Sequence, residues 1–194
     1  MATPSQMFEN FLEPLRGWYE DGALVYTAKL ASNLHADCKP LPGRCVSLNS
    51  TGAMVMGIAS LTAMPMFIFQ GRDAFDVSTP HEGSTPSGYF VSKAIFPKGM
   101  ITALVASGGY ELSTTEFDTT KVYAPNQLLT AWGTEAGQQA NWGRLTNVKN
   151  AANAAIVLFV DPVCGVVSSG LGKNEYGVPT LSFWTIYMPA RTWT

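Results

Sequence analysis

Charge is the scarcest property of this sequence. Lys, Arg, Asp and Glu together make up 13% of the 194 residues, about half of the ~25% that is typical of soluble domains. The formal net charge is −2, and the cations are scattered, with Lys39 and Arg44 forming the longest basic grouping. Because neutralising phosphates requires clustered Lys and Arg, this pattern excludes a nucleic-acid binder. Monomers stay apart through charge, so such a weakly charged surface favours packing within an assembly.

We also expect no secretory leader, and no unbroken apolar run long enough to span a membrane occurs in the sequence. Its first residues, MATPSQMFENFLEPL, contain no basic segment followed by an apolar stretch, so we expect the protein to remain where it is made. The segment from Val46 to Gln70 carries no charge and is long enough to cross a bilayer. Pro65 interrupts it, hydroxyl and amide side chains dilute it, and residues 66–69 have the composition of a buried strand. We therefore predict strands here and no membrane partner.

Motifs for catalysis and metal binding are missing as well. His35, Cys38 and Cys45 share a Pro-rich loop, yet their spacing is not that of a zinc knuckle and no fourth ligand is near. Cys38 and Cys45 could bridge in an oxidising compartment, but Cys164 resembles a small buried hydrophobe, and we predict reduced cysteines. His81 stands beside a carboxylate in a polar loop, and no serine occupies a nucleophile elbow. We expect a protein with no enzymatic activity, no metal and no cofactor.

Turn-forming pairs and strand-length apolar runs, by contrast, are abundant, and they predict an all-β fold. Pro97-Lys98-Gly99 and Gly108-Gly109 separate three such runs, which predicts a meander of neighbouring antiparallel strands. The last run, 181–188, carries bulk on both faces, so we expect a central strand or one at an interface. The whole pattern predicts an antiparallel β-barrel or β-sandwich. The predicted strands are 23–30, 46–48, 53–58, 64–69, 89–96, 100–107, 110–117, 144–148, 155–160, 163–168 and 181–188, with long loops at 78–88 and 170–178.

The first residues are predicted to form an extended arm. Bulky apolar residues at 8–19 recur at near-helical spacing, while Pro14 and Gly17 limit any helix to a short one. We expect an N-terminal arm at 1–22 and a single β domain at 23–194. The arm either docks on another subunit or caps the barrel of its own domain. Aromatic residues dominate protein interfaces, and the predicted interface residues are Phe8, Phe11, Leu15, Trp18, Tyr19, Trp142 and Trp193.

Three segments, mainly in the C-terminal half, carry a resemblance to a known class of protein. They are YELSTTEFD at 110–118, YAPNQLLTA at 123–131 and VVSSGLGKNEYGVPTLSFWTIYMPAR at 166–191. Together they resemble virion structural proteins of tailed bacteriophages, of the capsid decoration or cement type. The resemblance implies a β-barrel or β-tulip head, without enzymatic activity, that sits on the coat lattice.

The resemblance also implies partners and a location. The partner would be the major capsid protein, and the chain would form a dimer or trimer, made in the host cytoplasm and placed on the capsid surface of the virion. Binding to the assembled shell would stabilise it by mass action over every copy, with Phe8, Phe11 and Trp18 anchoring the arm beneath a neighbour. The alternative is a tail-fibre or spike-type module that binds a receptor or carbohydrate, with aromatics near His81 or Trp142 stacking on sugars. The third hypothesis is a small hydrolase whose activity depends on His35 or His81.

Overall fold

The described residues form two antiparallel β-sheets. The computed structural model describes residues 12–16, 25–31, 40–60, 62–68, 100–105, 109–133, 139–147, 162–174 and 177–188. Within these ranges lie eleven strands and one short 3-10 helix, at Gln139–Asn141. The all-β, antiparallel prediction is confirmed. The strands are β1 (Leu12–Arg16), β2 (Val25–Lys29), β3 (Cys45–Leu48), β4 (Met54–Met56), β5 (Met66–Ile68), β6 (Met100–Val105), β7 (Glu111–Thr114), β8 (Leu128–Ala131), β9 (Leu145–Thr146), β10 (Val163–Lys173) and β11 (Pro179–Met188).

One sheet has six strands, in the order β1-β7-β11-β10-β8-β9. Its longest pair is the hairpin of β10 and β11. Asn174 closes the turn of this hairpin: its N–H donates to the Val178 carbonyl oxygen (3.0 Å), and its side-chain oxygen accepts from the Val178 N–H (2.8 Å). The predicted loop at 170–178 is therefore too long, because β10 continues to Lys173. Strand β11 lies between β7 and β10, which confirms that it is a central strand.

The other sheet has five strands, in the order β2-β6-β5-β3-β4. The uncharged segment from Val46 onwards supplies most of β3 and all of β4 and β5, as predicted. The predicted meander, however, is wrong where β6 meets β7. Strand β6 pairs with β2 and β5, whereas β7 pairs with β1 and β11 in the six-stranded sheet, so the chain crosses between sheets instead of closing a hairpin. The predicted strands 89–96 and 155–160 and the loop 78–88 lie outside the described residues.

Strand β1 lies within the predicted arm, where bulky residues recur at near-helical spacing and no strand was predicted. It pairs antiparallel with β7, with Leu12 opposite Thr114 and Arg16 opposite Glu111. Pro14 disfavours a helix but is tolerated in β1, because β1 is an edge strand. These residues of the predicted arm are thus a strand of the chain's own six-stranded sheet. The rest of 1–22 lies outside the described residues.

The two sheets pack face to face around a shared hydrophobic core. Phe67 of β5 meets Phe183 of β11, with ring centroids 5.1 Å apart. Side chains from both sheets meet in this cluster, which makes the arrangement a sandwich. Its buried members include Cys45, Phe67, Leu112, Phe117, Tyr123, Leu129, Leu145, Cys164, Val167, Leu181 and Phe183. A second cluster fills the opposite face of the five-stranded sheet, with Val46, Met54, Met56, Met66, Ile68, Ala103 and Val105.

Backbone hydrogen bonds at Gly143 join the two sheets. The Gly143 carbonyl oxygen accepts from the Cys45 N–H at the start of β3 (2.7 Å), and the Gly143 N–H donates to the Trp132 carbonyl oxygen after β8 (2.8 Å). A Cβ on Gly143 would lie 2.7 Å from the Cys45 carbonyl oxygen, and one on Gly57 would collide with the Trp132 carbonyl. Glycine is required because no other residue permits backbones to approach this closely. We call Cys45, Gly57, Trp132 and Gly143 the sheet junction.

Candidate interaction surface

The outer face of the six-stranded sheet carries a row of directly opposed residues, one from each of five adjacent strands. Opposed residues share a face of a sheet. The neighbouring opposed pair, Leu112 and Phe183, lies in the core, so the row faces away from the core. We call this row the Trp184 row. In order across the sheet it consists of Arg16 (β1), Glu111 (β7), Trp184 (β11), Val166 (β10) and Leu128 (β8).

Trp184 is the exposed centre of this row. Although β11 is an interior strand, 36% of the Trp184 surface is accessible. Val166 and Leu128 beside it are half-buried, so an apolar strip continues across the sheet. Leu15, 45% exposed, lies next to Arg16 at an irregularity in β1. Trp combines a large apolar area with a polar N–H, which is why it dominates protein contacts.

The β1 end of the row is charged. Arg16 Nε lies 3.3 Å from Glu111 Oε2, and the Arg16 side chain is exposed while that of Glu111 is buried. A buried carboxylate needs a partner, and the guanidinium group supplies one. Arg has five N–H donors, so Arg16 retains donors that can reach an acceptor on a binding partner. The row therefore offers an apolar centre and a directional polar group at one end.

The loop between β7 and β8, residues 115–127, is held in place by buried anchors. The Tyr123 hydroxyl donates to the Asp118 carbonyl oxygen (3.0 Å), and its ring meets the Phe117 ring edge-on at 5.6 Å. Burial raises the pKa of Tyr123 well above its usual value, and the Asp118 charge adds to the shift. Asn147 Nδ2 donates to the Val122 carbonyl oxygen (2.7 Å). The anchored loop holds Val122, which is 84% exposed, outside the Trp184 row.

An ion cluster lies between the sheets, behind this surface. Glu116 Oε2 accepts from Arg44 Nε (2.8 Å) and also lies 3.4 Å from Arg144 Nε. The side chains of Arg44 and Glu116 are 4% and 3% exposed, whereas that of Arg144 is 36% exposed. Arg44 also donates to the Trp142 carbonyl oxygen (3.2 Å). Because Arg44 precedes β3 and Glu116 follows β7, the cluster ties one sheet to the other.

Two of the predicted interface residues fall within the described ranges. Leu15 is exposed at the β1 end of the Trp184 row. Trp142 follows the 3-10 helix and packs, half-buried, against the core cluster of the five-stranded sheet. Leu15 thus belongs to the six-stranded sheet, whereas Trp142 lies outside the strands and packs against the five-stranded sheet. Outside the described residues lie Phe8, Phe11, Trp18, Tyr19 and Trp193.

Trp184 is absent from the predicted interface residues. Strand alternation puts Trp184 on the same face of β11 as Ser182 and Ile186. Because both faces carry large side chains, the alternation alone does not show which face packs against the core. The signal that marks the outer face is Ser182, because Leu181 and Phe183 on the other face are both large and apolar.

Few of the residues considered for chemistry fall within the described ranges. His35, Cys38 and His81 lie outside the described residues. Cys45 is buried and unoxidised, as is Cys164. In the described part of the chain, no group of three His, Cys, Asp or Glu side chains is placed to hold a metal ion.

Two further findings concern membranes and relatives. Among the described residues, no helix is both long and apolar enough to span a bilayer. Comparison of the chain with protein-family models, with curated proteins and with solved structures found no match.

Proposed function

We propose that this protein is a capsid decoration protein of a tailed bacteriophage, which acts by binding and not by catalysis. The observation that best supports the proposal is the Trp184 row, an apolar strip with an exposed Trp on the open face of a sheet. Contiguous exposed apolar surface marks sites of protein contact. The low content of charged residues, 13%, also supports it, because such a surface is suited to being covered. In this proposal the row contacts the coat protein of the assembled shell.

Burial of Trp184 on binding would contribute a substantial part of the binding free energy. Covering the exposed 36% of its surface removes on the order of 90 Å² from water, which is worth about 2 kcal/mol. A contribution of this size corresponds to about a 30-fold change in the dissociation constant. Since every bound copy adds its binding free energy to the assembled shell and not to free coat subunits, the shell as a whole is stabilised.

The supporting structure is suited to binding without rearrangement. The row lies on paired strands, and the ion cluster of Arg44, Glu116 and Arg144 ties the sheet that carries it to the second sheet. Groups that are already ordered lose little conformational entropy on binding, so more of the contact energy appears as affinity.

The test is binding of Trp184→Ala to coat shells purified from the source phage, with Val122→Ala as the matched control. Both variants truncate an exposed apolar side chain, but only Trp184 belongs to the row. We expect Trp184→Ala to bind shells about 30-fold more weakly and Val122→Ala to bind like the wild type. Circular dichroism and the unfolding midpoint should show that both variants remain folded.

Two outcomes would contradict the proposal. One is a wild-type protein that does not bind shells at all. The other is a folded Trp184→Ala variant that saturates shells like the wild type. Quantitative mass spectrometry of purified particles adds the copy number: a ratio comparable to coat protein fits decoration, while a few copies per particle, together with glycan binding, would assign the protein to a tail fibre or spike.

A further inference from the structure

Cys45 and Cys164 are two buried thiols on different sheets, and both lie in the core that the sheets share. Cys45 begins β3 in the five-stranded sheet, and Cys164 lies in β10 of the six-stranded sheet. Both belong to the shared core cluster, and neither is oxidised. The Cys45 side chain lies within electrostatic reach of the Cys164 thiol, and Cys164 Sγ donates to the Leu129 carbonyl oxygen (3.5 Å).

The aromatic residues beside the thiols fix the same alignment independently. Cys45 is directly opposite Phe67 within the five-stranded sheet. Phe67 packs on Phe183, and the Phe183 ring lies so close to Gly165 that a Cβ there would be 2.7 Å from it. Gly165 is the residue after Cys164 in β10. This run of contacts leads from Cys45 across the core to Cys164.

The backbones are also drawn together at this point. Sandwich sheets usually lie about 10 Å apart, whereas a disulfide joins Cα atoms about 4.4–6.8 Å apart, so a disulfide between sheets needs a local narrowing. The sheet junction brings the start of β3 close to the residue after β8, because the Cys45 N–H donates to the Gly143 carbonyl oxygen (2.7 Å) and the Gly143 N–H donates to the Trp132 carbonyl oxygen (2.8 Å). Strand β8 pairs with β10, next to Cys164.

We propose that Cys45 and Cys164 form a disulfide that fastens the two sheets together when the protein meets an oxidising disulfide, such as oxidised glutathione. One thiolate attacks the oxidant RSSR, which forms a mixed disulfide and releases RS⁻, and RS⁻ takes up the proton of that thiol. The second thiolate attacks the protein sulfur of the mixed disulfide, and a second RSH leaves. Two protein thiols are thereby oxidised to one disulfide, while RSSR is reduced to two RSH.

Burial determines when this reaction occurs. Removal from water raises the pKa of the Cys164 thiol well above its usual value, and the neighbouring Cys45 thiol adds to the shift. Only the thiolate attacks a disulfide, and both thiols are fully buried, so an oxidant in solvent cannot reach them in the folded protein. The folded, reduced protein should therefore oxidise slowly, and the disulfide should form while the chain folds or while the sheets transiently open.

The test uses the full chain carrying Cys38→Ser, which leaves the proposed pair as its only cysteines. The reduced, denatured chain is refolded in glutathione buffers of graded ratio, unfolded again, alkylated with iodoacetamide and mapped by mass spectrometry. We expect both thiols to be lost together as the buffer becomes more oxidising, and a peptide joining Cys45 to Cys164 to appear. The oxidised chain should unfold at a higher guanidinium concentration, and a reductant should reverse this shift. The control that adds Cys164→Ala should show neither effect.

Three results would overturn the proposal. The first is that both thiols remain open to alkylation after refolding in a strongly oxidising buffer. The second is oxidation only between two chains, which would appear as a covalent dimer. The third is an oxidised monomer that unfolds at a lower guanidinium concentration than the reduced one. The alkylation pattern of the Cys38→Ser chain decides between these results even if the Cys164→Ala control fails to fold.

Discussion

Replacing Glu116 by Gln is expected to destabilise the protein severely, because Arg44 would remain buried without a counter-charge. The two side chains are 4% and 3% exposed and are joined at 2.8 Å. Removing one partner of such a buried ion pair costs about 3–5 kcal/mol. Arg144 cannot compensate, because it carries the same charge as Arg44. For a chain of this length each kcal/mol shifts Tm by about 2–4 °C, so Tm should fall by about 6–20 °C.

Arg144→Met is the matched control for Glu116→Gln. Arg144 approaches the same Glu116 oxygen at 3.4 Å but is 36% exposed, and the shorter Arg44 contact survives its loss. An ion pair open to solvent contributes only about 0–1 kcal/mol. The double change of Arg44→Met with Glu116→Leu should recover much of the lost stability, since an apolar pair carries no desolvation cost.

The assay for these variants is guanidinium unfolding, followed by both tryptophan fluorescence and circular dichroism. Coincident transitions would justify a two-state free energy of unfolding for each variant. The reasoning would be refuted by a Glu116→Gln cost below about 1 kcal/mol, or by equal costs for Glu116→Gln and Arg144→Met.

Three other predictions concern the junction, the β7–β8 loop and the core. Gly57→Ala should cost about 1–3 kcal/mol more in unfolding free energy than Gly52→Ala, because both glycines have positive φ but only a Cβ at Gly57 meets the Trp132 carbonyl; equal costs would contradict this. Because burial raises the pKa of Tyr123, the folded state keeps its proton longer than the unfolded state, so stability should be intact below about pH 10 and fall above it. Tyr123→Phe should flatten that fall in a series of denaturant titrations from about pH 9 to 11, and an unchanged slope would contradict the assignment. Phe183→Ala should lower the free energy of unfolding by about 3–5 kcal/mol in guanidinium unfolding, because it opens a cavity where the two sheets meet. A loss below about 1 kcal/mol would contradict this packing.

Strand periodicity made the second half of the fold predictable. The alternation at 181–188 predicts the position of β11 and which of its residues share a face. The apolar run at 100–107 predicts β6. The turn residues do not determine which strands pair. Gly108-Gly109 indicates that the chain reverses, but it does not indicate which strand the next strand pairs with. No strand was predicted at 12–16 because bulky residues recur at near-helical spacing there, and only the pairing with β7 makes these residues a strand.

The candidate site was much less predictable than the fold. Arg44 and Glu116 are 72 residues apart in sequence, and Glu116 and Arg144 are 28 apart, so no local motif could bring them together. Of the predicted contact residues, Leu15 does lie exposed beside the Trp184 row. Trp184 itself could not be chosen, since its exposure depends on which face of β11 the five-stranded sheet covers.

The position of β7 between β1 and β11 has a consequence for synthesis of the chain. One neighbour of β7 is made about a hundred residues earlier, whereas the other begins at Pro179, 65 residues after β7 ends at Thr114 (179 − 114 = 65). At about 5–20 residues per second, translation of β11 begins about 3–13 s after β7 is complete. Throughout that interval one edge of β7 has open hydrogen-bonding groups beside apolar side chains, a template for pairing with another nascent chain. Pairings between such distant segments also fold slowly. The fraction of chains that misassemble should therefore depend more on the density of ribosomes on one message than on the final stability of the sandwich.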